Sequence, residues 1–443
     1  MNVRWKRDHV TPAESETDAL LIRSVARLAA QAGPSWIKPM SDWCSEINLY
    51  SPQSGFSRPP DVRAAASLHS HSECSRETLE FIPRIAQRIP VVARYFERSV
   101  ADYQREHGRP LDFGEWYWRP PVTPAGVIES EQAQLNQRLD LPGLVSLTDH
   151  DTVEGPRTLQ ANGQADVPLS VEWSVPFDGC LFHLGVHGIA AASLDEMTDA
   201  FAAYTAGPPS GAPRRLGELL DALSACPETV VVLNHPCWDL AGVGQLRHDS
   251  TLITFLRAYQ DRIHALELNG YRDWAENRLV LPIAKGFSLP VVGGGDRHGL
   301  FPNTIVNLTR AREWAGFVHE LRVERFSHCV VFPEYVDPYV GRIFQSAADI
   351  LRPHHQHHRG QTTWSERVFI TMSGQEHSVA SLWTREPLWL WITVAITRIA
   401  GSKAFATLFE VARADGHETL EIDCQLERLF DRVPAVTPDS LAA

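Results

Sequence analysis

Eight side chains of the types that hold divalent cations punctuate this chain at short motifs. His69 and His71 stand two apart in Ser67-Leu68-His69-Ser70-His71-Ser72. In an extended strand, residues i and i+2 face the same side, so both imidazoles can aim at one point. His150 lies in Thr148-Asp149-His150-Asp151, and Glu172 closes Leu169-Ser170-Val171-Glu172. His183 follows in Phe182-His183-Leu184-Gly185, and His235 in Asn234-His235-Pro236. Asp296 and His298 complete the set in Gly295-Asp296-Arg297-His298. Imidazole with carboxylate suits Zn, Mn or Fe. Two such ions held about 3.5–4 Å apart can activate a water and stabilise both the entering and leaving oxygens of a phosphoryl transfer.

Each motif ends, or lies beside the end of, a short apolar run, such as Ala64-Ala65-Ala66, Val230-Val231-Val232-Leu233 or Leu289-Pro290-Val291-Val292. Runs of this length bounded by Gly, Pro, Asn or Asp read as buried strands. Strands buried on both faces are typical of a parallel sheet, and a parallel barrel builds its site at the C-terminal ends of its strands. A further strand is expected at 264–269, and helices at 193–204, 215–224 and 274–286 alternate with the strands. That alternation makes the chain α/β.

The ordered set His-x-His, Thr-Asp-His-Asp-Thr, Glu with apolar-His-Leu-Gly, Asn-His-Pro and Gly-Asp-x-His resembles the PHP (polymerase and histidinol phosphatase) superfamily over residues 60–310. The resemblance implies a distorted seven-stranded (β/α) barrel that hydrolyses phosphoesters with two or three divalent ions, Mn, Zn or Fe. One ion would take His69, His71, Glu172 and Asp296. A second would share Glu172 and add His183 and His235. A third would use His150 and His298. Asp149 and Asp151 are expected to orient imidazoles, and Glu267 to support the site without ligating. Two departures stand out. Ser67 occupies a position that is acidic in the family. Arg76 stands where the family has an aspartate, which suggests two metals, with the Arg76 guanidinium in place of the third cation. Glu73 or Glu77 could instead restore the third site. Arg297, between two ligands, is a candidate phosphate clamp. Of the potential ligands, His235 and Asp296 are expected to carry the catalytic work, with Arg76 and Arg297.

Around this core lie an N-terminal extension (1–59), with a helix at 17–32, and an insertion at about 76–120. The insertion opens with a helical run at 78–103 and ends in the ring-rich Trp116-Tyr117-Trp118. These rings form either a wall over the site or packing onto the barrel. Residues 311–443 are expected to form a mainly helical appendage that covers the barrel or mediates association, compatible with a homo-oligomer. The histidines of 353–360 read as a solvated loop, His187 as lying outside the cluster, 388–396 as a buried element and 436–443 as a disordered tail.

The formal charge of −13 disfavours a broad phosphate-binding surface, so no duplex nucleic acid is expected as partner. The first residues lack the apolar core of a signal peptide, and no run approaches the ~18 apolar residues that span a bilayer. With seven scattered cysteines and no Cys-x-x-Cys, a cytoplasmic protein with reduced thiols and no membrane partner is expected. Cys74 and Cys237 lie within metal motifs and could line the pocket. The leading function is hydrolysis of a small phosphomonoester, nucleotide or short oligonucleotide by a metal-activated water. Amide or ester hydrolysis by the same metals, and a decayed barrel serving as a binding or scaffold module, are the alternatives.

Overall fold

The computed structural model describes residues 44–49, 58–79, 90–108, 110, 112–337, 339–355, 360–372 and 375–382, with 395, 397 and 399. The expected helix at 17–32 and the tail at 436–443 lie outside the described residues, as do most of 388–396 and positions 356–359 of the histidine-rich stretch. The strands run in chain order as β1 (Cys44–Leu49), β2 (Ala64–Ser67), β3 (Glu77–Thr78), β4 (Trp116–Trp118), β5 (Gly143–Val145), β6 (Val171–Phe177) and β7 (Cys180–His187). They continue as β8 (Val230–Asn234), β9 (Ala265–Asn269), β10 (Val291–Gly294), β11 (Ile305–Thr309), β12 (Phe326–Val331), β13 (Val368–Met372) and β14 (Gln375–Ser378). Together with the helices they make a mixed α/β arrangement with three sheets among the described residues.

One five-stranded sheet has the order β1-β12-β11-β2-β5 and another β10-β9-β8-β7-β6. The first reaches beyond 60–310 at both ends, because β12 pairs in parallel with β1 and antiparallel with β11. In the second, β8, β9 and β10 run parallel, but β7 runs antiparallel to both β6 and β8. That antiparallel hairpin departs from the parallel sheet read from the sequence. Its turn is Asp178-Gly179, both with positive φ (48° and 79°), which suits the right-handed twist of a tight hairpin. Edges of the two sheets meet on two sides. Glu172 N donates to Asp149 O (3.2 Å) and Asp151 N to Glu172 O (2.9 Å). Opposite them, His71 N donates to Arg297 O (2.8 Å) and Gly295 N to Leu68 O (3.2 Å).

Strands β8, β9 and β10 are buried along their whole length; β8 and β10 bury Val and Leu side chains, and β9 also buries Glu267 and Asn269. Each such Val or Leu contributes roughly 1.5–3 kcal/mol by leaving water. Helices Leu194–Thr205, Pro213–Ala225, Gln245–Tyr259 and Trp274–Phe287 supply side chains such as Phe201, Leu220, Phe255 and Ile283 to the largest core. A second core gathers Leu135 and Leu139 of helix Pro124–Leu139 with Ala65, Val306 and Val330. That helix starts where Thr123 Oγ1 accepts from Gly126 N (3.1 Å) with Pro124 in the first turn, and it stops at Asp140 in the left-handed conformation.

The third sheet, β14-β13-β4-β3, joins the insertion to the C-terminal part. Of the helical run expected at 78–103, Thr78 lies in strand β3, 80–89 lie outside the described residues, and helix Pro90–His107 covers 90–103. Strands β13 and β14 likewise stand in a region read as mainly helical. Among the described residues no helix is long and apolar enough to cross a membrane. Among the described residues, Cys74, Cys180, Cys226, Cys237 and Cys329 form no disulfide.

Candidate metal centre

Five imidazoles surround one buried carboxylate. Glu172 Oε1 lies 3.0 Å from His69 Nε2 and 3.2 Å from both His183 Nδ1 and His235 Nε2. Its Oε2 lies 3.1 Å from His150 Nδ1 and 3.3 Å from His71 Nε2. Asp296 Oδ1 closes on the same point, 3.3 Å from His71 Nε2 and 3.6 Å from His69 Nε2. These residues come from β6, β7 and the stretches following β2, β5, β8 and β10.

Sharp backbone turns aim them. Strand β2 ends at Ser67, and His69 has φ 63°, so the convergence of His69 and His71 does not come from strand alternation. Asp296 (φ 51°) and His235 (φ 27°) also sit in the left-handed region. A non-glycine residue there costs about 1–3 kcal/mol, and such strain gathers at functional sites. Close approach needs glycine at one point in particular. A Cβ on Gly294 would lie 1.8 Å from Glu267 Oε1, so only glycine lets that carboxylate pass.

Three groups of donors lie close enough to hold a cation. The first is His69, His71, Glu172 and Asp296, as the resemblance implied. The second is His150, Glu172 and His183, with His235 touching it through Glu172 Oε1 rather than joining it. The third is His71, Glu77, His150 and His298. Glu77 supplies its carboxylate, with Oε2 3.0 Å from His298 Nε2 and 3.2 Å from His150 Nε2.

The donor set fits cations on chemical grounds. His69 Nε2, both ring nitrogens of His71, His183 Nδ1 and Glu172 Oε2 are buried with no hydrogen-bond partner. Leaving one buried polar atom unsatisfied costs about 1–3 kcal/mol, and here several face a common centre. Burial would raise the Glu172 carboxyl, but His69, His150 and His183 outweigh it and hold the group well below its ordinary range. Burial works against a charged His69, yet Glu172, Glu267 and Asp296 prevail and hold it well above its ordinary range. His150, under the same burial penalty, is pushed up to about 9 by Glu77 and Glu172. A pocket that attracts protons this strongly onto imidazoles has the negative potential a cation seeks.

Glu267 supports the centre as expected, accepting at Oε1 from His69 Nδ1 (2.6 Å) and at Oε2 from His235 N (2.7 Å). It thereby selects the tautomer that leaves His69 Nε2 as a donor atom for metal. Glu267→Gln is expected to weaken metal affinity about 10–100-fold with the fold intact. Metal titration of the variant checks this, and unchanged affinity would remove Glu267 from the site.

Asp149 and Asp151 are placed differently from expectation. Asp149 accepts from Ser72 N (2.5 Å) and Ser72 Oγ (2.8 Å), tying the stretch after β5 to the one after β2. Asp151 accepts from Ser174 N (2.8 Å). Neither touches an imidazole by those bonds; both brace backbone instead. His187 lies outside the three groups, its Nδ1 2.8 Å from Ser146 Oγ, and burial lowers its pKa to about 3.

Both arginines proposed for phosphate point elsewhere. Arg76 is largely exposed, pairs with Glu376 (2.7 Å) and lies over the Tyr117 ring, so its guanidinium does not stand in for a cation. Glu77 turns inward because β3 pairs with β4, and Arg76 one residue earlier turns outward. Arg297 is buried and donates to Glu131 Oε1 (3.1 Å), Gly299 O (3.0 Å) and Leu300 O (2.7 Å). Its guanidinium is thereby engaged by Glu131 and two carbonyls rather than by the donor groups. Glu131 also accepts from Ser67 Oγ (2.9 Å), so the acid absent at position 67 arrives from a helix. Of the insertion's rings, Trp118 borders His298 (5.8 Å between centroids), whereas Tyr117 stacks on Phe369 of β13.

No family model matches the chain, and neither does any curated protein. Among solved structures, PsfC from Pseudomonas syringae PB-5123 is similar at 14% identity, over 51% of this chain and 90% of that one, with a TM-score of 0.35. A protein of Bifidobacterium adolescentis ATCC 15703, for which metal-dependent phosphoesterase activity has been suggested, is similar at 17% identity. That match spans 42% of this chain and 85% of the other, with a TM-score of 0.26. At that level of likeness neither protein informs what this chain does.

Proposed function

We propose that this chain is a metal-dependent hydrolase of the PHP type, acting on a small phosphomonoester, nucleotide or short oligonucleotide. One observation carries the reading: Glu172 lies within 3.0–3.3 Å of five imidazoles, with buried donor atoms left unpaired around it. The seven strands β2 and β5–β10 would close into the distorted barrel, and the four backbone bonds between sheet edges support that closure.

Cations bound by these residues would lower the pKa of a water and neutralise charge on the phosphoryl oxygens. The protein's part is placement. Glu172 offers both oxygens to neighbouring donor groups and can bridge two ions. Glu77 extends the set to a third group, which favours three positions over the two suggested by Arg76. Asp296 and Glu172 carry the negative charge that keeps cations in place. Because Arg76 and Arg297 are paired with Glu376 and Glu131, anchoring of phosphate falls to the metal groups rather than to either guanidinium. Burial of His69, His71 and Glu172 keeps bulk water away from the centre and strengthens each electrostatic contact.

A screen of p-nitrophenyl phosphate, bis-p-nitrophenyl phosphate and nucleotides with added Mn or Zn tests the proposal. Hydrolysis that a chelator abolishes and fresh metal restores is the expected result. A metal-loaded protein that cleaves none of these compounds would overturn it, and cleavage of amide or ester substrates alone would move the assignment to that chemistry.

A further inference from the structure

The donor group of His71, Glu77, His150 and His298 differs from the other two in where its charge comes from. Imidazoles bind metal as neutral donors, so Glu77 supplies the group's negative charge. The other two groups draw theirs from Glu172 on β6 and from Asp296 after β10. Glu77 instead stands on β3, two residues long and outside both five-stranded sheets. From within, Ser75 Oγ donates to Glu77 Oε1 (2.5 Å) and accepts from His150 N (3.0 Å). From outside, Glu77 pairs with Trp118 of β4, and Trp118 pairs in turn with Val368 of β13. Phe369 stacks on Tyr117 (5.2 Å between centroids), and the buried Arg119 lies over both rings, its N donating to Arg367 O (2.9 Å). Glu376 of β14 reaches Arg76 (2.7 Å) beside Glu77 and Arg119 (3.4 Å) just after β4.

We propose that the hairpin of β13 and β14 is a positioning element for this one donor group: by holding β4, and through it β3, it sets how tightly the group binds its cation and leaves the other two groups as they are. The inference rests on the metal-binding part of the reading above and adds control of one ion position by a segment outside residues 60–310. Placement matters because metal–carboxylate bonds are about 2.0–2.2 Å long, so a shift of β3 by about an ångström breaks the contact. Without β13, β4 presents an open edge, and β3 is held by a two-residue pairing alone. The other two groups take no donor from the four-stranded sheet, so the hairpin has no comparable hold on them. Exposed ion pairs contribute modestly, so the stacked and largely buried rings of Phe369 and Tyr117 carry more of the hold than Arg76 with Glu376. Arg76 nevertheless acquires a part: adjoining Glu77, it clips the start of β3 to β14.

The test counts ions. The full chain, stripped of metal and dialysed against manganese, is expected to bind three, one at each donor group. Phe369→Ala should keep two of them at native affinity and bind the third about 10–100-fold more weakly. Glu77→Gln, which removes the carboxylate itself, should lose the same ion, and adding Phe369→Ala to it should cost nothing further at the remaining two. That non-additivity separates placement of Glu77 from a general loosening of the fold. Where a melting curve shows that Phe369→Ala does not fold, Glu376→Lys serves instead: at an exposed position it repels Arg76 and Arg119, and should weaken the same ion about fivefold. Three ions bound alike by the native chain and the folded variants, loss of all three together, or fewer than three on the native chain overturns the proposal. None of these outcomes depends on cleavage of a phosphoester. A chain that loses one ion selectively yet cleaves nothing in the screen above keeps this inference and drops only the hydrolase assignment.

Discussion

Glu172→Gln is expected to lower hydrolysis at least ~10³-fold, about 4 kcal/mol of lost transition-state stabilisation, with most bound metal gone. The substitution keeps volume and one carbonyl oxygen but removes the charge that offsets the surrounding cations. Glu172 belongs to two of the three donor groups, so both lose their shared ligand at once. Asn234 Nδ2 also donates to Glu172 Oε1 (2.9 Å), and the neutral amide in its place would weaken that bond as well. Elemental analysis of the purified variant with kcat/KM on the best substrate reads the effect. Metal content and activity within tenfold of the native chain would show that Glu172 is not the hub.

The second large effect concerns folding. Arg297→Met is expected to destabilise the protein by about 3–5 kcal/mol, because it strands a buried charge on Glu131. Burial raises the Glu131 carboxyl despite Arg297, and lowers Arg297 despite Glu131, so each ion depends on the other in a poorly solvating place. The pair joins helix Pro124–Leu139 to the segment that carries Asp296 and His298, while Asn303 N and Ser67 Oγ add bonds to the same carboxylate. Adding Glu131→Gln to Arg297→Met removes the stranded charge, and the double variant should lose less than the two single losses together. Urea unfolding of all four proteins measures this. An Arg297→Met midpoint equal to that of the native chain would mean that the pair contributes nothing.

Ligand types and their order were legible in the sequence because most donors follow short apolar runs that become buried strands, although Glu172 and His183 lie within β6 and β7. What the sequence hid was direction. Arg76 and Arg297 carry the chemistry of phosphate clamps, but their partners Glu376 and Glu131 lie 300 and 166 residues away. No local pattern announces pairs so distant. Glu77 stood only as an alternative for the same reason: its inward turn depends on β3 pairing with β4. The hairpin of β6 and β7 did leave a signal, Asp178-Gly179 between two apolar runs, which marks a tight antiparallel turn. The imidazoles of His69 and His71 do converge, but not by strand alternation, since the backbone turns left-handed at His69.

The four-stranded sheet has a consequence for the order in which the protein is completed during translation. Glu77 occupies a strand of two residues paired to β4, and β4 has β13, from residues 368–372, on its other side. A ribbon of two short strands is marginally stable by itself in water. While the ribosome still holds β13, the segment bearing Glu77 lacks the neighbour that steadies it. The donor group of His71, Glu77, His150 and His298 would thus be the last of the three to be completed, because Glu77 waits on a strand nearly 300 residues further along the chain.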